Sequence, residues 1–169
     1  MYCLLFRHGI AVSPEEWNGS ENERPLTKEG ITKTEKAAAG LKRIGMKPTH
    51  LLCSPLTRAR QTADIAKEIL QVKATIQLSP ELVYDQSPML LFPILHSLPQ
   101  DSLVMCVGHE PHLGQTAALM IFGKNASGLS LKKAGGCLIS FDGKVEIGRG
   151  HLEWWMAPAQ LRTLRKGSH

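Results

Sequence analysis

Three short polar clusters stand where apolar runs end: Arg7-His8-Gly9 after Cys3–Phe6, Ser54-Pro55-Leu56-Thr57-Arg58 after Leu51–Cys53, and Gly108-His109-Glu110-Pro111 after Val104–Val107. Brought together, they supply two histidines and two arginines. Two guanidiniums converging on one point need an anion, and their planar forks match the oxygens of a phosphoryl group. A neutral imidazole beside them can attack phosphorus in line, and neighbouring cations favour that neutral form. A second, charged imidazole could donate to the equatorial oxygens and stabilise charge as it develops. Phosphoryl transfer depends mainly on positioning and charge neutralisation, so such a site can work without a metal.

The elements that must position these residues follow from the same pattern. Tyr2–Phe6, His50–Cys53 and Leu103–Val107 read as buried strands, and Ala74–Leu78 as another. Thr27 can cap a helix from Lys28 to Ile44 that Gly45 stops. Ser54-Pro55 and Ser87-Pro88 each pair a cap with a proline, predicting helices to Leu70 and to Leu98, with a kink at Pro93. Glu110-Pro111 opens a helix to Phe122. Val12–Arg24 is polar and acidic and reads as a loop. Cys137–Phe141, Asp142-Gly143 and Lys144–Ile147 read as a hairpin, and Ala159–Lys166 as a last short helix. Strands alternating with helices, and apolar on both faces, predict an α/β fold in three layers, with a mixed, mostly parallel sheet flanked by helices. Ligands bind beyond the carboxyl ends of such strands. The three polar clusters should therefore share one edge of the sheet.

The motifs carrying these residues resemble those of the histidine phosphatase (phosphoglycerate mutase-like) superfamily. Arg7-His8-Gly9 is similar to its RHG signature, Arg24-Pro25-Leu26-Thr27-x-x-Gly30 to its RPLTxxG segment, and Ser54–Ala63 to its SPLxRAxQTA helix start. Gly108-His109 matches its second-histidine motif. Pro80-Glu81-Leu82, Gly108–Gly114 and Trp155-Met156-Ala157-Pro158 look most like the SixA-type phosphohistidine phosphatase branch. The resemblance runs from residue 3 to about 158, with the motifs in order. It implies that His8 is the nucleophile and passes through a phosphohistidine intermediate. Arg7, Arg58 and His109 would hold the phosphoryl oxygens. Arg24 would be either a loop-to-core anchor or a phosphate contact at the rim. It also implies the superfamily's mixed, mainly parallel sheet.

Many relatives carry a carboxylic general acid in an insertion between the third and fourth strands. Here that stretch is short, and Glu81 and Asp85 are the candidates for the acid. An imidazole leaves phosphorus more readily than an alkoxide and relies less on protonation. An open pocket without a strong acid suits a phosphohistidine displayed on a protein, such as a histidine-phosphotransfer domain. A small phosphomonoester is the alternative substrate. A non-catalytic phosphoprotein-binding module is the alternative of another class, and retention of both histidines and both arginines argues against it. No cofactor and no metal are expected. His109-x-x-His112 has metal-like spacing but no placed third ligand.

Length and composition set the outer bounds. The 169 residues suit one domain, over residues 1–166, with Gly167-Ser168-His169 readable as a vector remnant. Apolar residues at 43% and charged residues at 21% exclude a disordered chain. The longest apolar run, Met89–Leu95, is far too short to span a membrane. Met1–Phe6 lacks a basic flank and a cleavage site, so it does not read as a signal peptide. Cys3, Cys53, Cys106 and Cys137 lie in apolar stretches and read as buried free thiols in a reducing cytoplasm. The net charge of +5 comes from the C-terminal part, where residues 124–169 hold 8 basic and 3 acidic residues. With aromatics at 5% and basic residues scattered singly, this reads as a solvated flank rather than a nucleic-acid surface.

Overall fold

The computed structural model describes residues 1–164. Six strands form one sheet in the order β3-β2-β4-β1-β5-β6. Strands β1 (Tyr2–Arg7), β2 (His50–Cys53), β3 (Ile76–Leu78) and β4 (Leu103–Gly108) run parallel. β5 (Gly136–Ser140) and β6 (His151–Met156) continue the sheet antiparallel. This is the mixed, mostly parallel sheet that the pattern predicts.

The strands read as continuous apolar runs because alternate side chains feed two cores. Leu4, Phe6, Leu51, Cys53, Met105 and Val107 pack under helices α1 (Lys28–Arg43), α2 (Thr57–Leu70) and α5 (Pro158–Thr163). On the opposite face Cys3, Leu5, Leu52, Val104 and Cys106 pack under α3 (Leu91–Ser97) and α4 (His112–Phe122). The sheet is therefore the middle of three layers. All four cysteines are buried and free. Trp155 and Trp154, successive on β6, pack against opposite cores.

Helix starts differ from expectation. Thr27 caps α1, its hydroxyl accepting from the Gly30 N–H at 2.9 Å. α2, however, begins at Thr57, because Ser54 Oγ accepts from the Leu56 N–H and shapes a turn before the helix. α4 begins at His112, after a cis Glu110-Pro111 bond. The segment after Ser87 is a 3₁₀ turn, Pro88–Leu90, followed by α3. Pro93 sits in the first turn of α3, where a helix has no internal partner for its N–H groups, so its ring is accommodated there.

The predicted hairpin is corrected. Lys144–Ile147 forms no strand; β5 instead pairs with His151–Met156. Val145 is buried in the α3/α4 core, and Gly148, with φ +70°, turns the chain back before β6 begins. The third strand is shorter than predicted and starts at Ile76. The last helix ends at Thr163; residues 165–166, which the prediction included, and the suspected remnant at 167–169 lie outside the described residues.

Candidate active site

β4 lies between β1 and β2, with Arg7 opposite Gly108 and Cys53 opposite Val107. His8 and His109 each stand one residue beyond a paired strand end, which brings their ring centroids to 5.0 Å. Arg58 reaches the same point from the first turn of α2. The three polar clusters thus share one edge of the sheet, as the strand-end argument requires. His8, Arg58 and His109 are only 6%, 3% and 2% exposed.

His8 is fixed by its neighbour. Its Nδ1 lies 2.7 Å from the Gly9 carbonyl oxygen. A carbonyl can only accept, so Nδ1 carries the ring proton and Nε2 keeps its lone pair. The Gly9 N–H in turn donates to Thr62 Oγ1 at 3.0 Å, and Thr62 Oγ1 donates to the Arg58 carbonyl at 2.7 Å. Gln61 Oε1 accepts from the Leu26 N–H at 2.7 Å. Gln61 and Thr62 therefore fasten the segments after β1 and before α1 onto the helix that carries Arg58.

Burial pushes the His8 imidazole down to about 3, with Arg58, Arg7 and Lys133 adding repulsion against a hydrogen bond to Gly9 that raises it. Burial also takes His109 down to about 2, helped by the charges of His8, Arg58, His112 and Arg7. Both rings are neutral at pH 7. His109 Nε2 meets Ser54 Oγ at 2.8 Å, while its Nδ1 is buried without a partner.

The arginines are parked in similar ways. Arg7 Nη1 donates to the Leu131 carbonyl at 2.7 Å. Arg58 Nη1 donates to the Glu21 carbonyl at 3.0 Å, and its Nη2 lies 3.0 Å from Glu21 Oε1. Nε is buried and unpartnered in both. The edge formed by Nε and Nη2, the side-on fork of a guanidinium, thus retains donors in each case.

The other sequence candidates fall differently. Arg24 directs Nε and Nη2 to the Glu21 carboxylate at 2.8 and 2.7 Å and Nη1 to the Val12 carbonyl at 2.7 Å, so its fork is engaged within the loop. Glu81 accepts from the Ser79 hydroxyl at 2.7 Å. Asp85 is exposed and accepts from the Gln86 side chain. Arg60 is exposed, two residues on from the buried Arg58. His112 is fully buried, and burial lowers it to about 4. Among the described residues, no group of three or more His, Cys, Asp or Glu is arranged to hold a metal ion.

Besides the fastening roles of Gln61 and Thr62, sequence reasoning gave no role to four further residues near the site. Glu21 is one of four acids in the polar loop, and nothing in its spacing marks it out. Tyr84 sits edge-on to His109 at 5.9 Å between centroids. Lys133 adds charge close to His8. Glu110 Oε1 accepts from the N–H of Leu131, the residue whose carbonyl holds Arg7, at 2.8 Å.

A histidine whose Nε2 has no hydrogen-bond partner among the described residues, two guanidiniums and a second histidine stand together at the end of the parallel strands, a set of groups with the chemistry to hold and attack a phosphoryl group. The family model of the histidine phosphatase superfamily (branch 1) matches residues 3–83, and the chain belongs to that superfamily, a membership that supports phosphatase activity. It is 25% identical to phosphohistidine phosphatase SixA of Escherichia coli K12 over 167 residues, covering 98% of this chain and 99% of that protein. An uncharacterised protein of Picosynechococcus sp. strain PCC 7002 is 34% identical over 141 residues, covering 80% of this chain and 82% of the relative. The structure of the protein histidine phosphatase SixA complexed with tungstate superposes with a TM-score of 0.82 at 26% identity, covering 95% and 99% of the two chains. Among the described residues, no helix is long and apolar enough to cross a membrane.

Proposed function

We propose that this phosphatase hydrolyses phosphohistidine displayed on a protein, through a covalent phosphate on His8 Nε2. The observation that carries the reading is the 2.7 Å contact from His8 Nδ1 to the Gly9 carbonyl, which leaves Nε2 as the nucleophilic atom. In the first step the Nε2 lone pair attacks phosphorus. The bond from phosphorus to the substrate imidazole breaks, and the departing nitrogen takes a proton from solvent water. In the second step water attacks phosphorus and gives up a proton to solvent, the bond to Nε2 breaks, and phosphate leaves with the water's oxygen while the His8 ring returns to its neutral Nδ1–H form. Arg7 and Arg58 hold the equatorial oxygens through their side-on edges, and His109 donates from Nδ1.

Two features favour a protein-borne phosphohistidine over a small ester. The chain between β3 and β4 holds only 3₁₀ turns and the seven-residue α3, so it supplies little to close over a substrate. Its acids Glu81 and Asp85 are bonded to Ser79 and Gln86 rather than to either histidine. An imidazole leaving group tolerates that arrangement better than an alkoxide does. The similarity to SixA points the same way.

The test compares kcat/KM for a phosphorylated histidine-phosphotransfer domain with that for p-nitrophenyl phosphate and phosphoserine, with and without EDTA. The proposal expects the phosphohistidine protein to be preferred at least about tenfold, with no loss in chelator. Preference for an ester would overturn the substrate class.

A further inference from the structure

Arg58 spends the outer end of its guanidinium entirely on Glu21. Nη1 donates to the Glu21 carbonyl at 3.0 Å, and Nη2 forms an ion pair with its carboxylate at 3.0 Å. That carboxylate is itself gripped by the fork of Arg24, at 2.7 and 2.8 Å, and Arg24 is tied to the Val12 carbonyl at 2.7 Å. The outcome is a continuous relay from the loop after β1 to the buried guanidinium: Val12, Arg24, Glu21, Arg58. Arg58 is 3% exposed, whereas the Glu21 side chain is 43% exposed.

We infer that Glu21, held by Arg24, is the positioning residue that sets the plane of Arg58 for the phosphatase reaction. This rests on Arg58 binding the phosphoryl group, as proposed above. A guanidinium on a long side chain has many rotamers, and bidentate recognition works only if its plane is fixed beforehand. Glu21 holds both nitrogens of the end-on edge, one by a hydrogen bond and one by an ion pair, and the side-on Nε keeps an unpartnered donor for the phosphoryl oxygens. Arg24 then serves the site through Glu21 without touching phosphate. The same geometry explains why an acid stands beside an anion site. Its charge is offset by two arginines, and it orients one of them.

The opposite role would be a carboxylate that merely competes with phosphate for Arg58. The two roles differ in sign. Removing a competitor lowers KM and leaves kcat alone. Removing a positioning group lowers kcat without raising KM in proportion, because the ground-state charge attraction is retained while the transition-state fork is lost.

The experiment is a double-mutant cycle of Glu21→Ala with Arg58→Lys, read as kcat and KM on p-nitrophenyl phosphate and on a phosphohistidine protein. Glu21→Ala is expected to lower kcat about tenfold in the wild-type background and less than about twofold beside Arg58→Lys, since a lysine has no plane to set. Glu21→Gln, which keeps one acceptor for Nη2 at the same volume, should recover part of the loss and repeats the cycle if alanine lowers Tm. Equal losses in both backgrounds, no loss, or a rise in kcat/KM would overturn the inference. Both substrates are used because a wild-type enzyme active on p-nitrophenyl phosphate alone refutes the phosphohistidine preference yet leaves the cycle readable.

Discussion

His8 Nδ1 donates to the carbonyl oxygen of Gly9, the next residue in the chain, at 2.7 Å. The residue that ends the RHG signature thus sets the tautomer of the residue before it. A backbone carbonyl cannot be titrated, so the arrangement holds at any pH at which the protein is folded. The neutral ring is further enforced by burial, with the charges of Arg58, Arg7 and Lys133 adding to it.

That burial has a consequence for stability. His8, His109 and His112 are held to about 3, 2 and 4, below the 6.5 of a free histidine. Between those values and 6.5 the unfolded chain binds more protons than the folded one, so stability rises with pH across that window. It levels off above the unfolded value, as far as these groups are concerned. Urea unfolding from pH 4 to 8 should show this rise, and the double variant His8→Asn, His109→Asn should show a shallower one.

Anion binding should draw a proton in. His109 is neutral in the buried site, and its unpartnered Nδ1 and Nε2 on Ser54 can serve a charged ring only if an anion offsets the charge. Tungstate is a tetrahedral dianion that carries no proton at mildly alkaline pH. Calorimetry in buffers of different ionisation enthalpy should show uptake approaching about one proton per tungstate. Binding with no uptake would mean that His109 stays neutral.

Arg58 and Arg60 separate geometry from charge. Arg58 is buried in the site, and Arg60, on the same helix, is exposed. Arg58→Lys keeps the charge and loses the fork, and should lower kcat/KM about 30- to 1000-fold. Arg60→Lys should be nearly silent. Equal losses would place the wrong face of α2 in the pocket.

The RPLTxxG segment acts through packing. A Cβ on Gly30 would collide with the Ile10 carbonyl, two residues after His8. Gly30→Ala should therefore push α1 off that loop, destabilise the fold by about 1–3 kcal/mol and lower kcat. Denaturant midpoints and turnover, measured together, check it.

Legibility in the sequence depends on how local each signal is. Arg7, His8, Arg58 and His109 stand at the ends of apolar runs, so strand-end logic alone brings them together. The roles of Gln61 and Thr62 were hidden because their partners, Leu26 and Gly9, are far away in the chain. Glu21 was indistinguishable from Glu15, Glu16 and Glu23 until the loop's path placed it against Arg58. The hairpin error has a similar cause. Asp142-Gly143 is a strong local turn signal, but the buried Val145 anchors the segment beyond it to the α3/α4 core, and pairing waits until His151.

The central claim is a phosphoryl bond to one particular atom of His8. A phosphorylated histidine-phosphotransfer domain mixed with enzyme and quenched in alkali within milliseconds preserves phosphohistidine, which acid would destroy. Peptide mapping then locates the phosphate, and the isomer identifies the nitrogen. The account predicts phosphate on His8 at Nε2, and none in His8→Ala, which should not turn over. Phosphate at Nδ1, phosphate on another residue, or undiminished turnover by His8→Ala would contradict it.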